Sequence, residues 1–215
     1  MKTAIVIGAT GLVGTELVKQ LLVDARYSKV KIFVRKDPQI DNPNLETYVI
    51  DFDKIEDYKS QFTGDDLFSA MGTTLKTAGS QEKQYVVDFT YQYKTAEICA
   101  ANGVKQFLLV STIGASSSNA MFYLKMKGEL EDKVQEFPFE HILIFRPSLL
   151  KGERKGNKRI METISEPIFG FLTKIFLRRF TPIDAKQVAA SMIAAANMDI
   201  QDKVRIFESS EMQNL

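Results

Sequence analysis

Tyr123 and Lys127 stand four residues apart within Met121–Glu136, a stretch whose pattern predicts a helix, so both fall on one helix face. A phenol ordinarily ionises at about 10. A neighbouring ammonium favours the phenolate and draws that value toward neutrality. Such a phenol can pass a proton to or from a substrate oxygen. Ser111 and Thr112 close the preceding strand, Lys105–Val110, and a hydroxyl from either could steady the same oxygen. The spacing alone is weak, because Tyr27 and Lys31 repeat it between the first helix and the second strand, where they are assigned no role. What sets Tyr123 and Lys127 apart is the strand before them, with its paired hydroxyls. A half-buried tyrosine beside a solvated lysine is the ordinary alternative.

A second group of residues supplies a place for phosphate. Gly8-Ala9-Thr10-Gly11-Leu12-Val13-Gly14 follows the apolar run Lys2–Ile7, and Val13, Leu17 and Leu21 then recur at helical spacing. Strand, glycine turn and helix in that order aim free backbone N–H groups, and the positive end of the helix dipole, at an anion. Gly8 suits the tight turn, Gly11 the close approach of a pyrophosphate, and Gly14 close packing of the helix on the strand. The spacing is G-x-x-G-x-x-G rather than G-x-G-x-x-G, and the flanking strand and helix favour a dinucleotide over a bare turn. Thr10, Leu12 and Val13 belong to the same cradle. With a cationic nicotinamide nearby, the Tyr123 phenol would be lowered further while hydride moves.

Other strand ends join these. Lys29–Val34 predicts a second strand ending at Arg35-Lys36, the position that selects the ribose: an acid there binds the 2′-hydroxyl of NAD, a base the 2′-phosphate of NADP. The guanidinium fork of Arg35 matches a phosphate, which favours NADP(H) over NAD(H), although a solvated basic pair is common at a strand end. Leu45–Ile50 ends at Asp51, which could bind the adenine amine or cap the next helix. Asp66–Ala70 opens into Met71-Gly72-Thr73, small enough to leave space for a ribose across the cofactor. A long helix is predicted from about Glu82 to Ala101, stopped by Asn102-Gly103.

The alternation of strands and helices predicts an α/β fold, a doubly wound parallel sheet with a small C-terminal substrate-side region. The 215 residues fit one domain, within which 151–181 would form an insertion or lid. Lys151, Arg154, Lys155, Lys158 and Arg159 make that region basic, and Pro167–Leu177 is rich in large apolar residues that read as core or pocket wall. A net charge of +1 gives no whole-chain signal for nucleic acid. One cysteine and one histidine, with no cluster at ligand spacing, argue against a metal. No apolar run is long enough to span a membrane, and Met1 leads straight into the first strand, so a cytoplasmic chain is expected.

Together, the glycine loop, Ser111-Thr112, Tyr123-x-x-x-Lys127 and Arg146-Pro147-Ser148 resemble the short-chain dehydrogenase/reductase family in its atypical branch. Met71-Gly72-Thr73-Thr74, Phe122-Tyr123-Leu124 and Lys127-Gly128-Glu129 look like the Tat-interacting-protein-like group, near the NmrA-like proteins. The resemblance implies a Rossmann domain, NADP(H), and a Ser/Thr–Tyr–Lys site whose catalytic hydroxyl falls on Thr112. It implies that Lys127 also holds the cofactor ribose and that Pro147 lies beside the nicotinamide. Asp88 lies where many relatives carry the asparagine of a proton relay. Two functions follow: an NAD(P)H-dependent oxidoreductase of a small carbonyl or alcohol, or an NADP(H)-binding sensor that regulates a protein partner without turnover. A homodimer is also left open.

Overall fold

Seven parallel strands form the sheet around which the chain winds. They are β1 (Lys2–Ile7), β2 (Tyr27–Val34), β3 (Leu45–Val49), β4 (Asp66–Ser69), β5 (Gln106–Val110), β6 (His141–Arg146) and β9 (Val204–Glu208), in the spatial order β3-β2-β1-β4-β5-β6-β9. The computed structural model describes residues 1–151 and 182–215; the predicted lid and the apolar run Pro167–Leu177 lie outside the described residues, except for Lys151. Lys151 ends a short strand β7 (Leu150–Lys151), which pairs with β8 (Ile183–Asp184).

Apolar side chains cover both faces of the sheet. On one face Val13, Leu17 and Leu21 of α1 (Leu12–Leu21) pack with Val188, Ala189 and Met192 of a helix at Ala185–Ala195, against Val6, Ile32 and Phe68. On the other, Ala96 and Cys99 pack with Leu130 and Val134 against Ile5, Phe107 and Ile144. Residues buried on both sides of a parallel strand read as the continuous apolar runs that β1, β5 and β6 show. The order reverses between β1 and β4, so the cofactor crevice is expected beyond the strand C-termini at that switch point.

Three local structures differ from the sequence reading. The segment after β3 is a 3-10 helix, Phe52–Gln61, capped by Asp51, whose carboxylate accepts from the Asp53 N–H. The long helix is not uniform: after the short helices α2 (Leu75–Ala78) and α3 (Gln81–Tyr85) comes a π turn, Val86–Thr90, and then α4 (Tyr91–Ala101). In that turn the Tyr91 N–H reaches the Val86 carbonyl, and the Gln92 side chain donates to the Asp88 carbonyl at 2.7 Å. Tyr27 lies inside β2, and its hydroxyl donates to Asp66 at 2.6 Å.

Candidate active site

The glycine loop is held together by close backbone approach. Gly8 has φ +77, and a Cβ there would lie 2.4 Å from the Ala70 carbonyl carbon, so the turn after β1 presses on the end of β4. A Cβ on Gly14 would lie 2.1 Å from the Gly8 carbonyl oxygen, so the contact that demands glycine is helix on turn. Gly11 is different. Its nearest neighbours to an added Cβ are the Gly8 and Ala70 oxygens, at 3.1 and 3.6 Å. It is the N-cap of α1 and supplies no side chain to the first-turn N–H groups of Leu12, Val13 and Gly14. Uncapped donors at this helix N-terminus fit a pyrophosphate. Val13 is buried in the core and contributes backbone, while Thr10 is exposed at the loop's tip.

Arg35 and Lys36 are exposed just beyond β2. Arg35 faces an acidic neighbourhood: Tyr91 donates to Asp53 at 2.7 Å, and burial, with Asp53 and Asp51 near it, pushes that phenol up to about 12 against the pull of Arg35. Asp51 spends its carboxylate on the helix cap. The loop Met71-Gly72-Thr73 is gripped from below, where the Asp88 carboxylate accepts from the Thr73 N–H at 2.9 Å and Gln84 donates to the Thr73 carbonyl at 3.2 Å. Gln92, one turn further on, accepts from Ser69 at the end of β4 at 2.7 Å.

Helix α5 (Phe122–Val134) carries Tyr123 and Lys127 on one face. Lys127 is only 2% exposed, and its Nζ donates to the Val110 carbonyl at the end of β5, at 3.1 Å. Close packing brings the helix there, since a Cβ on Gly128 would lie 2.1 Å from the Ser116 carbonyl carbon. Burial pushes the Lys127 ammonium below the ordinary lysine value, opposed by the Asp88 and Glu131 carboxylates. Tyr123 does not show the expected depression. Burial, and then the Asp88 carboxylate, push its phenol upward.

The two adjacent hydroxyls part company. Ser111 is 5% exposed, and its Oγ donates to the buried Glu131 carboxylate, which also binds Arg146. The Ser111 hydroxyl is thus engaged by an ion-pair network in this structure. Thr112 is half-buried, and its hydroxyl makes no hydrogen bond among the described residues. The turn containing Pro147 lies against this strand end, with the Ile113 N–H donating to the Pro147 carbonyl at 3.1 Å. Sequence reasoning missed Glu131, although Tyr123, Lys127 and Glu131 form one i, i+4, i+8 stripe. It also missed Gln84 and Gln92, which bracket Asp88 at the same intervals.

Known proteins resemble the chain in sequence or in fold. The chain is 32% identical to a protein named FMP52, mitochondrial, of Candida albicans, over 98% of this chain and 96% of that one. It is 35% identical to Protein HTATIP2 of Rattus norvegicus, over 80% of this chain and 72% of that one. Among solved structures, the oxidoreductase YlbE of Lactococcus lactis superposes with a TM-score of 0.68 at 20% identity, covering 99% and 96% of the two chains. The Bordetella bronchiseptica enzyme WbmH, in complex with NAD+, gives 0.71 at 16% identity, covering 97% of this chain and 76% of that one. These likenesses bear out the doubly wound fold. No helix among the described residues is long and apolar enough to cross a membrane. The cytoplasmic expectation gains nothing from the fungal relative, which is named mitochondrial. The family model described as NAD(P)H-binding matches residues 8–199, and with most of its length so matched the chain belongs to the NAD(P)H-binding family.

Proposed function

We propose that this protein is an oxidoreductase that prefers NADP(H) and interconverts a small carbonyl compound and its alcohol. The observation that carries the reading is the placing of Lys127. Its ammonium is buried, on the same helix face as Tyr123, and tied to the carbonyl of Val110, two residues before Thr112, whose hydroxyl has no hydrogen bond among the described residues. A structural lysine has no need of such burial, which costs free energy unless charge is wanted inside.

When bound, the nicotinamide ring supplies or accepts the hydride. The chain's residues do the rest in this reading. The N–H groups of Leu12, Val13 and Gly14 bind the pyrophosphate, Arg35 takes the 2′-phosphate, and Met71, Gly72 and Thr73 border the ribose. Lys127 holds ribose hydroxyls, and Pro147 borders the nicotinamide end. Thr112 donates to the substrate oxygen, and Tyr123 delivers a proton to it from Oη. A phenol raised by burial keeps its proton at neutral pH, which suits a donor and hence the reductive direction. We read residues 1–215 as one dinucleotide-binding domain, with the region from 151 to 181 on the substrate side.

The test is NADPH oxidation against a panel of small aldehydes and ketones, beside fluorescence titration of NADPH and NADH. Tight NADPH binding without turnover on any member would replace this reading with the dinucleotide-sensing regulator.

A further inference from the structure

Glu131 plays no part in the chemistry above, yet it is 3% exposed and sits one helical turn beyond Lys127. Its Oε1 accepts from the Ser111 hydroxyl and from Arg146 Nε at 3.1 Å, while Oε2 pairs with Arg146 Nη2. Arg146 ends β6 and reaches on to Glu208, the last residue of β9, at 3.8 Å. One carboxylate therefore ties α5 to the end of β5 and to the end of β6. Lys127 and Glu131 grip consecutive residues of that first strand end, Val110 through its carbonyl and Ser111 through its hydroxyl. The Ser111 and Ile113 N–H groups both donate toward the β6 side, to Phe145 and Pro147. The chain is thus extended there, and successive side chains point to opposite sides. Anchoring Ser111 to Glu131 turns Thr112 the other way.

We propose that Glu131 is a positioning residue of this site: by clamping Ser111 and Arg146 it sets Thr112 and Lys127 relative to Tyr123, and it supplies part of the negative field that keeps the Lys127 ammonium charged inside the protein. The charged groups acting on that ammonium are Asp88, from the π turn, and Glu131 on its own helix. Tyr123 lies one turn before it on α5, and Arg146 from β6 and Glu208 from β9 stand behind Glu131. The catalytic half of the proposal rests on the oxidoreductase reading; the electrostatic half does not.

The experiment uses the full chain labelled with 13C at lysine Cε, with Lys127→Ala to identify the signal. Glu131→Gln keeps the size and an acceptor oxygen for Ser111 but removes the charge. The expected result is a Lys127 titration midpoint lowered by about one unit. In turnover, kcat falls by roughly tenfold to a hundredfold with KM for NADPH nearly unchanged, as for a misplaced reacting group. The alkaline limb of the pH profile moves to lower pH. Glu131→Asp, which keeps the charge, restores the midpoint. A folded Glu131→Gln protein with the parent midpoint and pH limb would overturn the proposal, since a merely structural ion pair predicts that result. If Glu131→Gln does not fold, Ser111→Ala cuts the clamp and spares the ion pair. It is expected to lower kcat about tenfold, and parent kcat there overturns the clamp. A shifted Lys127 midpoint in a protein that turns over no carbonyl sustains the assignment and overturns the oxidoreductase reading instead.

Discussion

Asp88 accepts the Thr73 N–H at 2.9 Å from within a π turn, where it is 1% exposed. Burial raises its carboxyl from 3.8 to about 6, against the opposing pull of Lys127 and the Thr73 N–H. The folded chain therefore holds this proton more tightly than the unfolded chain. The stabilisation is complete below about pH 4 and is lost as the pH rises through about 6. Asp88→Asn keeps an oxygen for Thr73 and cannot ionise. The stability of the variant relative to the parent should rise between pH 4 and 7, by at most about 3 kcal/mol. Urea unfolding at the two pH values measures it. A relative stability that does not change with pH would mean that the carboxyl ionises normally.

Gly11 and Gly14 should separate cofactor binding from folding. A side chain on Gly14 meets the backbone of Gly8, which cannot yield cheaply, so Gly14→Ala should destabilise the fold by about 1–3 kcal/mol. Gly11 has φ −76 and ψ 177, an extended conformation open to valine, with its nearest obstacle at 3.1 Å. Gly11→Val should fold and lose NADPH affinity by about a hundredfold or more, roughly 3 kcal/mol. Thermal melts and fluorescence titration check the pair. Parent affinity in a folded Gly11→Val protein would move the pyrophosphate elsewhere.

The alternation of strands and helices, the glycine turn between β1 and α1, and the helix carrying Tyr123 and Lys127 were legible because each has a periodic or positional signature. The π turn has none: Val86–Thr90 reads as ordinary helix, and only the bond from Tyr91 to Val86 reveals the wider turn. Glu131 stayed hidden among Glu129, Asp132 and Lys133, where one more acid looks solvated. Its burial depends on Arg146, fifteen residues later and on another element. Which of two neighbouring hydroxyls is free depends on which way the strand end faces, and that is set by Glu131 and not by local sequence. The upward shift of the Tyr123 phenol was hidden for a similar reason, since its burial, and then the approach of Asp88 from the π turn, arise only when distant segments pack together.

Arg35 should decide the cofactor. It is exposed beyond β2 with no acid at its own position, though Asp51 and Asp53 lie across from it near Tyr91. Arg35→Asp removes a charge-assisted contact of about 1.5–3 kcal/mol and should weaken NADPH tenfold or more. NADH, which has no 2′-phosphate, should be far less affected. Titration of both cofactors against both proteins is the measurement. Equal losses for NADPH and NADH would show that Arg35 reads something other than the 2′ position.

Tyr123→Phe addresses the chemistry most directly. The change removes one hydroxyl and keeps the ring, and no hydrogen bond to that hydroxyl from a described residue is lost, so the fold should persist. NADPH affinity should stay close to the parent's if, as proposed, the phenol acts on the substrate oxygen. The rate of a single turnover should fall by roughly 10²–10⁴, the usual cost of losing a general acid. Thr112→Ala should reduce the same rate by about 10²-fold or more, as for a lost donor to a developing oxyanion. Its effect should exceed that of Ser111→Ala, whose hydroxyl is already engaged by Glu131. Lys127→Ala should harm both cofactor affinity and rate if, as proposed, the ammonium serves the ribose and the phenol together. The measurement is oxidation of enzyme-bound NADPH after mixing with a competent carbonyl compound. If Tyr123→Phe reacts at the parent rate, the Tyr123–Lys127 face is structural, and the dinucleotide-sensing function takes the place of catalysis.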